Sequence, residues 1–264
     1  MKKWPFYISW VALILGCIVW GIITRSSFIQ VSGDVEDLNS LWYAYLQYME
    51  KNPEIVSAYQ KNAQEIIGKA DCIVLGKFTG QREYKNKTFL SEFEVAEVIV
   101  GDSAFQDTTI AIYEPIVYED YNKFYSNIYS QANPNDWGFM QNKFNITEDN
   151  HFYLAATKSR YQYGNTLLLS GKEYILLLNQ RTLADGMALP EKMEFLPIDS
   201  PYSKLDVTKS ISVEQYEIPE KYLTLEEASE YEILVTDIDL FGQYVTTKKD
   251  ILEELEIRRS LSYK

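Results

Sequence analysis

Histidine is almost missing from this chain of 264 residues: His151 stands alone. A metal centre of several imidazoles, or a Ser/His/Asp triad, would have to be built around that one ring, and its neighbours Asn150-His-Phe-Tyr-Leu form no nucleophile elbow. Cysteine is nearly as scarce. Cys17 lies in an apolar run near the N-terminus and Cys72 in a predicted apolar strand, so no internal disulfide is expected beyond the run, and Cys72 reads as a buried, inert thiol. Glycine-rich phosphate loops are missing too, with neither a P-loop nor a dinucleotide fingerprint. Asp237-Ile-Asp239 with Gly242 resembles the opening of an EF-hand, but Phe241 stands where an oxygen ligand belongs and Lys248 where the closing Glu belongs. No metal and no cofactor is expected. Basic charge is short as well: 25 Lys and Arg face 38 Asp and Glu, for a net charge of −13. Every acidic residue follows Gly33, so setting aside Lys2, Lys3 and Arg25 leaves 22 basic against 38 acidic side chains, a net −16. Such a field repels phosphate backbones, which excludes nucleic acid as an expected partner and leaves a basic partner compatible.

What is present begins with an apolar run. Trp4 to Thr24 carries no charge, is bracketed by Lys2, Lys3 and Arg25, and holds Trp4, Tyr7 and Trp20 near its ends. About 20 such residues match a hydrocarbon core of about 30 Å. The run predicts a single-pass transmembrane helix in the cell membrane, with a cytoplasmic N-terminus and an extracytoplasmic C-terminal domain. Two readings compete with it. A cleaved signal peptide lacks its small-residue site before Arg25, and Ile14-Leu15-Gly16-Cys17 resembles a lipobox in which Leu15 is too large and Ile18 to Ile23 stay apolar. The expected organisation is a cytoplasmic tip and anchor over 1–25, a helical stalk or packing helices over 26–69, and one domain over 70–264.

Between Asp34 and Lys69 apolar residues recur at helical spacing and predict two helices, the second capped by Asn52 with Pro53 at its first position and stopping near Gly68. From Ala70 the texture turns to β. Cys72–Thr79 and Thr88–Val100 predict a hairpin around Lys85-Asn86-Lys87, and the apolar face of the second run changes phase between Val95 and Ala96, which calls for a bulge. Thr108–Tyr113 reads as a third strand. Met193–Ile198, Leu205–Val213 and Ile233–Val235 read as later strands, Thr224-Leu-Glu-Glu227 as a capping box, and Thr247 with Asp250 as the start of a last helix.

The order Ala70-Asp-Cys-Ile-Val-Leu-Gly-Lys-Phe-Thr-Gly80, Phe93-Glu-Val-Ala-Glu-Val-Ile-Val-Gly-Asp102, Thr109–Tyr113 and Ser170–Leu178 resembles small exported bacterial domains with an OB-like barrel, of the netrin and metalloprotease-inhibitor kind. The resemblance implies an α+β fold: an N-terminal transmembrane helix, then an OB-like antiparallel β-barrel with flanking helices. It implies no activity, and the disulfides of the animal inhibitors are missing. An aromatic insertion over about 114–166 interrupts the barrel. Aromatic rings give large contact area at low entropic cost, so Tyr118, Tyr121, Tyr125, Tyr129 and Trp137 are the candidate contacts for a protein or glycan partner. The leading expectation is a non-enzymatic binding or interaction module of the cell envelope. A cell-wall glycan hydrolase is the alternative, with Glu114, Glu119 and Asp120 as carboxylates, and a structural assembly protein built on the 34–69 helices is a third reading.

Overall fold

The computed structural model describes residues 41–44, 51–85, 88–116, 118–120, 134–144, 153–156, 163–181, 192–208, 210–220, 222–224, 227–228 and 230–262. Its strands are β1 (Leu41–Ala44), β2 (Cys72–Lys85), β3 (Thr88–Val100), β4 (Thr109–Tyr113), β5 (Tyr118–Asp120), β6 (Tyr153–Ala156), β7 (Glu173–Gln180), β8 (Glu194–Pro197), β9 (Lys204–Asp206) and β10 (Tyr222–Thr224). The helices are α1 (Pro53–Tyr59), α2 (Ala63–Ile67), α3 (Pro134–Phe144) and α4 (Ile238–Ser262).

The predicted hairpin forms and founds a barrel. β2 pairs with β3, β3 with β4, β4 with β8, β8 with β7, and β7 returns to β2, which closes five strands into a mixed barrel. All pairs are antiparallel except β4 with β8. Counted along the chain the closed order is first, second, third, fifth, fourth, an arrangement compatible with an OB-like barrel. The phase change in β3 is resolved by bulges: Val74 faces Val98 while Ile73 faces Val100, and Gly76 faces Val95 while Leu75 faces Glu97, so Ile99 and Ala96 are the extra residues. β7 alternates between two cores. Tyr174, Leu176 and Leu178 point into the barrel with Val74, Phe93, Ile110 and Phe195, whereas Ile175 and Leu177 join Ile66, Leu205, Tyr244 and Leu255 beneath the helices. With both faces covered, the strand reads as a continuous apolar run.

Within the segment expected to be the first helix, residues 41–44 depart from the helical periodicity. Leu41–Ala44 is a strand, parallel to β6 and antiparallel to β10, in a second sheet of order β10-β1-β6-β5. Pairing with distant strands supersedes a local helical pattern, and Trp42 and Tyr43 are of the aromatic type that strands favour. The second expected helix is present in two pieces. Asn52 caps α1 by accepting from the Glu54 N–H at 2.9 Å, with Pro53 at its first position, and Asn62 caps α2 by accepting from the Glu65 N–H at 2.9 Å. Ile55, Ala58, Tyr59, Ile66 and Ile67 are buried on the barrel and α4.

The final helix begins earlier than its predicted capping pattern. Asp237 Oδ1 accepts from the N–H groups of Asp239 (2.9 Å) and Leu240 (3.2 Å), so the sequence that resembles a calcium loop is a helix cap. Leu240, Phe241, Tyr244, Ile251 and Leu255 bury one side of α4, and this packing carries the helix through Gly242 and Val245-Thr-Thr247.

The expected transmembrane helix is corrected. No helix among the described residues is long and apolar enough to cross a membrane, and residues 4–24 lie outside the described residues. The fold is therefore an α+β arrangement of a closed barrel with flanking helices.

Candidate functional site

Between β9 and α4 the chain from Ser210 to Glu232, together with Phe241, lines a groove of about 570 Å³. Tyr216 fixes its floor. Its hydroxyl lies 3.0 Å from the Ile233 carbonyl and 2.7 Å from that of Val235, and it accepts from the Val235 N–H at 3.0 Å. Its ring stacks on Phe241 with centroids 3.5 Å apart and meets Tyr231 edge-on at 6.0 Å. Three positions far apart in sequence thus form one rigid aromatic wall.

Five carboxylates also line it: Glu217, Glu220, Glu227, Glu230 and Glu232, the last paired with Lys248 at 2.7 Å. Glu227 is held by the predicted capping box, its Oε2 accepting from the Thr224 N–H at 2.7 Å while its own N–H donates to Thr224 Oγ1 at 3.0 Å. The other oxygen, Oε1, faces Lys143 of α3 at 3.2 Å, and Lys143 also meets Glu220 at 2.8 Å. Burial alone would lower the Lys143 pKa, but the bonds to Glu220 and Glu227 outweigh it and hold the ammonium above its ordinary value. Burial, and then Glu217, Glu220, Glu227 and Glu230, push the Tyr231 hydroxyl up. The carboxylates contribute to both shifts, and aromatic faces beside carboxylates are suited to cations.

A second cleft, about 420 Å³, lies on the barrel wall. It is electrically closed. Glu194 pairs with Lys85 at 2.8 Å and with Arg181, and accepts from the Tyr113 hydroxyl at 3.0 Å. Burial would raise the Glu194 pKa, but these partners outweigh it and hold the carboxyl below its ordinary value. Lys192 pairs with Glu92. Glu114, read from sequence as a possible catalytic carboxylate, is buried behind this cleft. Its Oε1 accepts from the Ser91 hydroxyl and lies 2.9 Å from Arg82, and its Oε2 accepts from the Leu168 N–H at 2.7 Å. Arg82 in turn lies 4.3 Å from the centre of the Phe78 ring.

The candidate aromatic residues are spread over the insertion. Tyr118 opens β5, Trp137 lies on α3, and Tyr121, Tyr125 and Tyr129 lie outside the described residues, as does His151. Glu119 and Asp120 belong to β5, described in its backbone. β5 shares a sheet with β10, whose Leu223 lines the groove, and α3 reaches the groove through Lys143. The insertion and the groove therefore adjoin. Sequence reasoning missed Tyr216, Tyr231 and the carboxylates around them. The available signal was the density of acid from Glu214 to Glu232, with Lys221 as the one cation, interleaved with Tyr216, Tyr222 and Tyr231.

Cys72 is buried, with its thiol pushed up to about 11 chiefly by burial and then by Asp71 and Asp102. Among the described residues no group of three or more His, Cys, Asp or Glu is arranged to hold a metal ion. Compared with known proteins, the chain matches no family model, no curated protein and no solved structure.

Proposed function

We propose that this protein is a non-enzymatic binding module and that the acidic aromatic groove around Tyr216 and Tyr231 is where it takes a partner. The observation that carries this reading is a preformed wall of three stacked and edge-packed rings in a groove lined by five carboxylates. A wall already locked by the Tyr216 hydrogen bonds loses little entropy on binding, and rigid aromatic area is the commonest anchor of protein interfaces. The strand order supports kinship of the barrel with the exported OB-like domains that the sequence resembles. A glycan hydrolase is disfavoured by Glu114, whose two oxygens are engaged inside the barrel wall.

The test places a photo-crosslinking residue at position 231 of the full chain and, as a control, at Lys77 on the exposed barrel face. A reproducible adduct from 231, diminished by Glu217→Gln with Glu230→Gln and missing from 77, is the expected result. Equal capture at both positions, or none at 231, refutes the reading.

A further inference from the structure

Two carboxylates of the groove already hold a cation of the protein's own. Lys143 reaches two of its lining carboxylates from α3, a separate element, and sets its ammonium between Glu220 and Glu227 at 2.8 and 3.2 Å. One of these carboxylates is oriented by backbone before any cation arrives, since Glu227 is fixed through the Thr224 N–H. The ammonium is largely covered, with 18% of the Lys143 side chain exposed, whereas the Glu220 and Glu227 side chains are 68% and 42% exposed. An incoming group can therefore approach the carboxylates from the solvent side. Apolar surface flanks the seat: Phe139, one turn before Lys143 on the same helix face, is 50% exposed, and Ile218, between Glu217 and Glu220, is 60% exposed.

Resting on the binding reading above, we infer that the groove recognises a lysine flanked by apolar residues on another protein, and that Lys143 occupies that lysine's seat until the partner displaces it. The charges are complementary. Glu217 and Glu230 add to the field that draws a basic segment, and the Tyr216, Tyr231 and Phe241 wall receives its apolar part. The displacement is an exchange of ion pairs, with no bond made or broken. Two half-exposed pairs of this kind amount to a factor of about five in affinity. Lys143 thus makes the resting groove a weaker binder than its surface would otherwise be.

The test titrates a fluorescein-labelled peptide, Gly-Lys-Leu-Lys-Leu-Gly, into the full chain and into Lys143→Met, with Lys143→Gln as a second variant and equal melting temperatures as the check on folding. The same peptide with acetylated lysines is the control. The expected result is binding about fivefold tighter in both variants, abolished when Glu220→Gln and Glu227→Gln are added, weakened by salt and missing for the acetylated peptide. Equal affinity in the wild type and the variants, still dependent on Glu220 and Glu227, overturns the role of Lys143 and leaves the binding reading standing. Failure of all forms to bind overturns the lysine chemistry, while crosslinking at position 231 reports separately on whether the groove binds at all.

Discussion

Lys204 is expected to give folding stability a rising dependence on pH in the mildly alkaline range. The residue is 3% exposed on β9, and its ammonium donates to the Thr166 and Leu167 carbonyls and to Thr166 Oγ1, 5.5 Å from the centre of the Tyr174 ring. Burial lowers its pKa from 10.5 to about 8, although Glu114, Glu232 and Asp206 pull the other way. With the folded value below the unfolded one, the unfolded chain binds more protons between those two values, so stability rises as the pH climbs from about 8 toward 10.5. Below the folded value the cost of keeping the charge buried is fully present, about 3 kcal/mol at 1.36 kcal/mol per pH unit. Between pH 7 and pH 10 roughly 2.5 kcal/mol of that is relieved. The buried Cys72 thiol, pushed up to about 11, opposes this trend from about pH 9, and the buried hydroxyls of Tyr174 and Tyr202, also pushed up by burial, join it above about pH 10. Lys204→Met removes the titrating group and keeps the others. Urea unfolding of both proteins across the window should show the wild-type midpoint gaining about 1 M on the variant. The offset at neutral pH is not decisive, because the variant loses hydrogen bonds as well as a buried charge. A difference that stays flat from pH 7 to pH 10 refutes the reasoning.

Gly76 faces Val95 where β2 crosses the bulged β3, and a Cβ there would strike the Glu94 carbonyl oxygen and come within 2.7 Å of the Phe93 ring. Gly76→Ala should therefore cost about 3 kcal/mol or more, since backbone cannot rotate away as a side chain can; an unchanged urea midpoint would count against the barrel register. Cys72, buried and with a raised thiol pKa, should react with a maleimide in the native protein only through unfolding. Its labelling rate at pH 7.5 should rise by orders of magnitude in denaturant, and fast native labelling would contradict its place in the barrel interior.

The barrel was the part of the fold most legible in sequence, because β2, β3 and β7 are long enough for alternation or continuous apolarity to show. The shorter strands were blurred. The run expected as a strand from Leu205 to Val213 pairs only over Lys204–Asp206, and Ile233 makes one isolated bridge to Asn165, although Ile233 to Val235 is fully buried. The start of α4 is hidden in sequence because Gly242 and the β-branched run after it suppress local helicity, and the burial that restores it is tertiary. The groove could not be seen from periodicity at all. Tyr216, Tyr231 and Phe241 become neighbours only through the hydrogen bonds of Tyr216 to the backbone of Ile233 and Val235, a contact no local pattern encodes. Glu114 was visible as an acid beside the insertion, but its role depends on Arg82, Ser91 and Leu168, which come from three other places in the chain.

The chain leaves the barrel after β4 and returns to it at β7, and Ile116 and Tyr163, on either side of the insertion, are both buried. The barrel closes when β7 pairs with β2 and β8 joins β4 to β7, after the insertion has been synthesised, so the ends of the insertion are pinned by the finished fold. The entropy of a flexible loop grows with the logarithm of its length, and a threefold change in length alters closure by only about 1 kcal/mol. Selection can therefore lengthen or trim the stretches between β5, α3 and β6 at little thermodynamic cost, while the pairing of β5 and β6 in the second sheet and the rate at which distant β7 is captured set the limits. The barrel in this view is a chassis. What the insertion delivers to the groove can diversify between descendants of this chain while the strands that hold it stay as they are.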